Sequence, residues 1–204
     1  MSEIWMTADI HLDHANILEH MPLRGEAFRN IHHMEDAFID TINELVKPKD
    51  LLIIAGDFCW RAGKCGHFRQ RLNVREIYVA RGNHDAASLA KHVSRMEHML
   101  FLKLAGKHFH IQHYPCLSWG KMQHGGIHCY GNSYDNGCAS DNEGIHCYGH
   151  SHGMFEETLD ELWPFRNSMD VGMDNALQLT GQFRPFHIDE IIARCSNESK
   201  RIDH

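Results

Sequence analysis

Polar and apolar positions along the chain fall into three patterns, each predicting a different kind of element. Alternation comes first. Ile4, Met6 and Ala8 stand at every second residue, which predicts a strand over Glu3 to Asp9. Helical spacing follows: Met34, Phe38, Ile42, Leu45 and Val46 predict a packing helix over Ile31 to Val46, with Asn30 as N-cap and Pro48 just past the end. Continuous apolar runs are the third pattern. Leu51 to Ala55, Ile77 to Ala80 and Ile145 to Tyr148 predict buried strands.

The weaker segments fill the gaps. Asn16 to His20 predicts a short turn or helix, and Ala86 to Val93 a short helix. Met99 to Gln112 predicts a hairpin turning at Gly106-Lys107, with Phe109 and Ile111 on one side and His108 and His110 facing solvent. Phe165 to Asp174 and Gln182 to His187 predict two further strands, and Asp189 would cap a terminal helix over Glu190 to Arg194. Gly126-Ile127-His128-Cys129-Tyr130-Gly131 recurs 18 residues later as Gly144-Ile145-His146-Cys147-Tyr148-Gly149. Two copies are too few for a solenoid. The second copy is the better candidate for the sheet, because His150 and His152 follow it where the first copy has Asn132 and Tyr134.

Chemistry collects where the apolar runs stop. Asp9 and His11 follow the first strand, Gly56-Asp57 the second, and Arg81-Gly82-Asn83-His84-Asp85 the third. His113 follows the hairpin, and Gly149-His150-Ser151-His152-Gly153 follows the Ile145 run. Residues two apart past a strand end leave the same face, so Asp9 with His11 and His150 with His152 can each point at one ion. Imidazole is the commonest nitrogen ligand, and in open α/β sheets ligands sit at the carboxyl ends of strands. The chain has 19 His, so a lone one is weak evidence; His14 and His20 read as surface residues. Asp9, Asp57, Asn83, His11, His113, His150 and His152 are too many ligands for one zinc-like ion. They suit two ions sharing a carboxylate, a device that clamps both oxygens of a phosphoryl transfer.

Composition narrows the classes. The 204 residues, 43% hydrophobic, suit one domain over 1–195 with a polar tail over 196–204. Seven scattered cysteines without a CxxC pair indicate neither a disulfide framework nor a zinc ribbon. No run reaches transmembrane length and the start lacks a signal-peptide pattern, so the chain reads as cytoplasmic with no membrane partner. The net charge of −7 argues against a general nucleic-acid coat. Between Arg61 and Arg81, however, six basic residues face one acid, Glu76, which could steer an anionic substrate or form a solvated helix face.

Taken in order, Asp9-x-His11, Gly56-Asp57, Gly82-Asn83-His84-Asp85, His113 and Gly149-His150-x-His152 resemble the signature of the calcineurin-like metallophosphoesterase superfamily. The chain looks most like its small single-domain bacterial and phage members, from Asp9 to about Asp174. The resemblance implies an α/β fold of the α+β kind, a four-layer αββα sandwich. It implies one divalent metal on Asp9, His11, Asp57 and His152, and a second on Asp57, Asn83, His113 and His150, with Asp57 bridging. The implied reaction is hydrolysis of a phosphomonoester or phosphodiester by in-line attack of a metal-held hydroxide. Asp57 and His84 are then catalytic, with His84 protonating the leaving oxygen, and Arg81, Asn83 and His84 contact the substrate phosphate. Asp85 is expected to be a structural cap. Mixed nitrogen and oxygen ligands accept Mn²⁺, Zn²⁺, Fe or Ni²⁺, with Mn²⁺ the natural laboratory metal.

The chain departs from the protein-phosphatase branch at Gly56-Asp57-Phe58-Cys59-Trp60-Arg61, where Trp60 stands in place of an Asp that orients the catalytic histidine. That makes a phosphoserine or phosphothreonine phosphatase a poorer fit and leaves the partner of His84 open. A small or nucleotide-like phosphate ester is the expected substrate. The rivals are a silent scaffold of the same fold that binds a protein partner, and a nuclease using the Arg61–Arg81 segment on nucleic acid.

Overall fold

The computed structural model describes residues 2–116, 144–163 and 166–195. The tail after Cys195 and the first copy of the repeat lie outside the described residues. In chain order the elements are β1 (Ile4–Thr7), α1 (Ile17–His20), α2 (Pro22–Ala27), α3 (Ile31–Leu45), β2 (Leu51–Ile54), α4 (Cys65–Arg71), β3 (Glu76–Ala80), β4 (Arg95–Glu97), β5 (Met99–Leu104) and β6 (Lys107–Gln112). They continue with β7 (Gly144–Tyr148), α5 (Glu156–Leu162), β8 (Ser168–Asp170), α6 (Met173–Thr180), β9 (Phe186–His187) and α7 (Ile188–Cys195).

The strands form two mixed sheets, in the orders β4-β3-β2-β1-β9 and β5-β6-β7-β8. Strands β1 to β4 run parallel, as do β6, β7 and β8, so each sheet delivers several carboxyl ends to one edge. An isolated parallel bridge between Ala8 and Gly172 joins the two sheets at that edge.

Alternation along the parallel strands sorts two cores. Leu52, Ile54, Ile77 and Val79 pack against Met34, Phe38, Ile39 and Ile42 of α3 and Phe68 of α4. Met6, Ala8, Ile53 and Ala80 point the other way, to Leu100, Phe109, Ile111, Ile145, Cys147 and Met169 of the second sheet. Each large apolar side chain so buried contributes about 1.5–3 kcal/mol. The architecture is a mixed α/β one, two facing sheets with helices on the first. The second sheet's outer face carries His110, His146, Tyr148 and Ser168, with α5 tied on by Tyr148 Oη donating to Glu156. The fourth helical layer that the resemblance implies is not complete among the described residues.

The helix over Ile31–Leu45 forms as expected, and Asn30 caps it by accepting the His33 N–H at 2.9 Å. The second copy of the repeat is β7, wholly buried. Four expectations need correction. His110 is 3% exposed rather than solvent-facing, because the Phe101 ring stacks on it at 4.8 Å and His146 lies 5.1 Å away. The Phe165–Asp174 strand shrinks to Ser168–Asp170, because the Asp170 carboxylate turns back to accept the Gly172 N–H and α6 starts at once. The last strand is only Phe186–His187, and the Ala86–Val93 helix is a 3-10 turn over Ala87–Lys91. Elements α2, α4, β4, α5 and α6 were not foreseen.

Candidate metal centre

Asp9 and His11 leave β1, Asp57 leaves β2 and Asn83 leaves β3, while His113 leaves β6 and His150 and His152 leave β7. The two sheets thus face their strand ends toward one point. The backbone there is unusual: Asp9, His11, Asp57, His150 and His152 all have positive φ, between 50° and 66°. Such angles cost non-glycine residues energy and persist only where surrounding structure imposes them, typically at functional sites. Two glycines allow the close approach. A Cβ on Gly82 would lie 2.1 Å from Asp57 Oδ1, and one on Gly149 would lie 2.6 Å from Asp9 Oδ2.

Most of the expected ligands come together. Asp9, His11 and His152 offer ligand atoms within 4.8 Å of one another, and so do Asp9, Asp57 and His113. Asp57 Oδ2 is 3.6 Å from His11 Nε2 and 3.4 Å from His113 Nε2. Asp9 belongs to both triplets and Asp57 to one, so the two carboxylates lie side by side where the triplets join. Asn83 Oδ1 lies 2.8 Å from His113 Nε2. His150 belongs to neither triplet; it is exposed, with its ring edge-on to His113 at 5.0 Å and its N–H donating to Asp9 Oδ2 at 2.8 Å.

Several buried polar atoms here have no hydrogen-bond partner among the described residues. Asp9 Oδ1 and both ring nitrogens of His11 are enclosed and make no hydrogen bond with any described residue. A lone carboxylate oxygen and an imidazole left this way cost stability unless something binds them. The electrostatics agree. Burial pushes the Asp9 carboxyl well above its ordinary range, Asp170, Asp57 and Asp174 push it further, and only Arg24 opposes. Burial drives His11 well down, with Arg24 and neighbouring histidines adding to it. Burial alone would raise Asp57, but the hydrogen bond and charge of His113 bring it below the usual range. Excess carboxylate beside neutral imidazole is the donor set that suits divalent cations.

Unforeseen residues support the ligands. His152 Nδ1 lies 2.6 Å from Asp174 Oδ2, and Asp174 is also gripped by Arg24, at 2.8 Å and 2.6 Å. Arg24 is fully buried and also donates to the backbone carbonyls of Asp9 and Ile10. Asp170 accepts from Ser151 Oγ and the Gly153 N–H, fixing the loop that carries His150 and His152. Asp174 fell inside a segment read as strand, and nothing in the sequence around Arg24 marked it. Asp85 is the expected cap: it accepts backbone N–H groups of Asp57, Phe58 and Gly82 at 2.8–3.0 Å.

His84 stands at the mouth, its Nε2 3.9 Å from Asp57 Oδ2 and its backbone N–H donating to Asp57 Oδ1. Its ring neighbours are Trp60 at 4.4 Å and His11 at 5.5 Å. His14, read as a surface residue, is part of this wall, stacked on Trp60 at 3.9 Å. Arg81, expected at the substrate phosphate, donates its Nε–H to the Asp85 carbonyl at 2.9 Å and so braces the loop next to His84. His20 lies 6.1 Å from His14, outside the triplets. No described helix is long and apolar enough to cross a membrane.

No protein-family profile matches the chain. An uncharacterized protein of Methanocaldococcus jannaschii is 32% identical over 87 residues, 42% of this chain and 48% of that one, so the chain matches about half of the relative's length. Among solved structures, a protein of unknown function from Aquifex aeolicus aligns over 94% of this chain and 98% of its own, with a TM-score of 0.64 and 17% identity. That likeness shows a common fold. An archaeal phosphodiesterase has a TM-score of 0.34 at 20% identity, covering 54% of this chain and 58% of its own. The nuclease MPE of Pseudomonas putida has 0.31 at 19% identity, covering 73% and 61%. Scores that low carry no argument about chemistry, which rests on the side chains.

Proposed function

We propose that the chain is a member of the calcineurin-like metallophosphoesterases and hydrolyses a phosphate ester with two divalent metal ions. One observation carries this reading. Asp9 Oδ1 and both nitrogens of His11 are buried with no hydrogen-bond partner among the described residues, and Asp9 groups with His11 and His152 on one side and with Asp57 and His113 on the other. Asp9, His11, Asp57 and His152 would hold one ion, and Asp57, Asn83 and His113 the other, with His150 beside them as the resemblance implies. Bound ions would supply an activated water and neutralise charge on the phosphoryl oxygens. The protein's own contribution is positioning and proton transfer. His84, at the open edge with a third of its side chain exposed, is placed to give its proton to the leaving alcohol. Asp57, with His11 and His113 at either side of Oδ2, keeps the charge that holds both halves together.

The basic segment does not favour the nuclease reading. Arg61 pairs with Asp13, Arg71 with Asp36, Arg69 with backbone carbonyls and Arg81 with the Asp85 carbonyl. The decisive assay compares p-nitrophenyl phosphate, its bis ester and 2′,3′-cyclic nucleotides with Mn²⁺ and with chelator. Metal-dependent release from at least one is expected; none from any, with metal shown to be bound, would reject the reading.

A further inference from the structure

Beyond the ligands the mouth of the centre is aromatic. Trp60 is 42% exposed, unusual for an indole that the fold holds in place. Its backbone N–H donates to the Leu12 carbonyl at 2.8 Å, and Leu12 bridges Cys59 beside it. His14 stacks on the indole at 3.9 Å, only 2° from parallel. His84 lies 4.4 Å from the indole and 5.9 Å from His14. Those three separations make a near-right angle at Trp60. His14 therefore covers one face, and His84, tilted by 35°, lies to the side of that stack rather than opposite His14, so among the described rings neither occupies the far face.

A rigid, half-exposed indole beside the group that faces the leaving alcohol has the makings of a binding surface. We propose that the open face of Trp60 is a stacking subsite for a nucleobase on the leaving group, which makes the substrate a nucleotide-sized phosphate ester. This rests on the phosphoesterase reading for the position of the phosphate. Stacking suits the surface because every base presents a π-face and the indole is held without needing to order on binding. A free nucleotide fits better than a long strand. The chain carries a net charge of −7, and the nearest guanidinium in sequence, Arg61, is paired with Asp13.

The test uses two probes that cannot be hydrolysed, a nucleoside 5′-phosphonate and the matching ribose 5-phosphonate without a base. Their affinities for the Mn²⁺-loaded protein are measured by calorimetry, in the unsubstituted chain, Trp60→Ala and Trp60→Phe. The base is expected to tighten binding about tenfold, Trp60→Ala to remove nearly all of that gain, and Trp60→Phe to keep most of it. Equal affinity of the two probes, or a gain that survives Trp60→Ala, overturns the subsite. A loss that is uniform for both probes also overturns it, since it would make Trp60 a support for His84 alone. Failure of the two ideas is separable. A base-dependent gain lost in Trp60→Ala with no ester hydrolysed keeps the subsite and removes the esterase; ester hydrolysis with no such gain does the reverse.

Discussion

Asp57 makes the most demands on a single side chain. Its Oδ2 faces three imidazoles while its Oδ1 accepts the His84 N–H. Asp57→Asn can keep that hydrogen bond but not the charge. The expected outcome is a folded protein by circular dichroism that no longer binds Mn²⁺ and has no activity. His84→Ala should leave Mn²⁺ affinity within a few-fold of the parent and lower kcat about 10²–10⁴-fold for alkyl esters, less for p-nitrophenyl esters. Equal loss on both would remove His84 as proton donor. Arg24 and Asp174 test support rather than ligation. Asp174→Leu strands a buried guanidinium and should cost about 3–5 kcal/mol by urea unfolding. Adding Arg24→Met should recover much of that stability, while Mn²⁺ affinity stays about 10–100-fold down because His152 has lost its anchor. At this scale the strand-end positions of Asp9, His11, Asp57, Asn83, His113, His150 and His152 were readable in the sequence, since each follows an apolar run, but which of them fall into one triplet was not. Asp174 and Arg24 were not readable, because their pairing spans 150 residues of chain.

Elements whose period was long or uninterrupted were legible, and short ones were not. Ile31–Leu45 has 15 residues to repeat its spacing, whereas α6 has eight and β9 two. The outer face of the second sheet was misjudged because alternation tells which residues share a face and nothing about what covers it. Strand β7 makes this testable. His146 Nδ1 donates to the His110 carbonyl at 3.0 Å and its Nε2 accepts the Cys116 N–H at 3.1 Å, so a second ring proton would meet a donor. Burial accordingly takes its pKa from 6.5 to about 4. Between those values the unfolded chain binds more protons than the folded one, so stability falls as pH drops from 6.5 toward 4. The loss from this residue should approach roughly 3 kcal/mol, and His146→Gln should flatten the slope of urea midpoints against pH in the metal-free protein.

For the molecule as a whole, the centre lies where two sheets meet, and its unpartnered donors burden the metal-free fold. Metal should therefore stabilise the whole chain. At a hundred times its dissociation constant, Mn²⁺ is expected to add about 2.7 kcal/mol, read as a melting temperature roughly 5–10 °C higher and reversed by chelator. The same addition should leave Asp57→Asn unmoved. The amino-acid sequence alone determined the strand ends and the donor types they carry, because apolar runs, helical spacing and terminal residues are local properties. Only the tertiary structure decided that Asp9 belongs to both ligand triplets, that Asp174 and Arg24 brace His152, that Arg81 donates to the Asp85 carbonyl and that Trp60 lies beside His84. Those are matters of which loop lies beside which. They follow from two sheets packing face to face and meeting at the Ala8–Gly172 bridge, a contact between residues far apart in the chain.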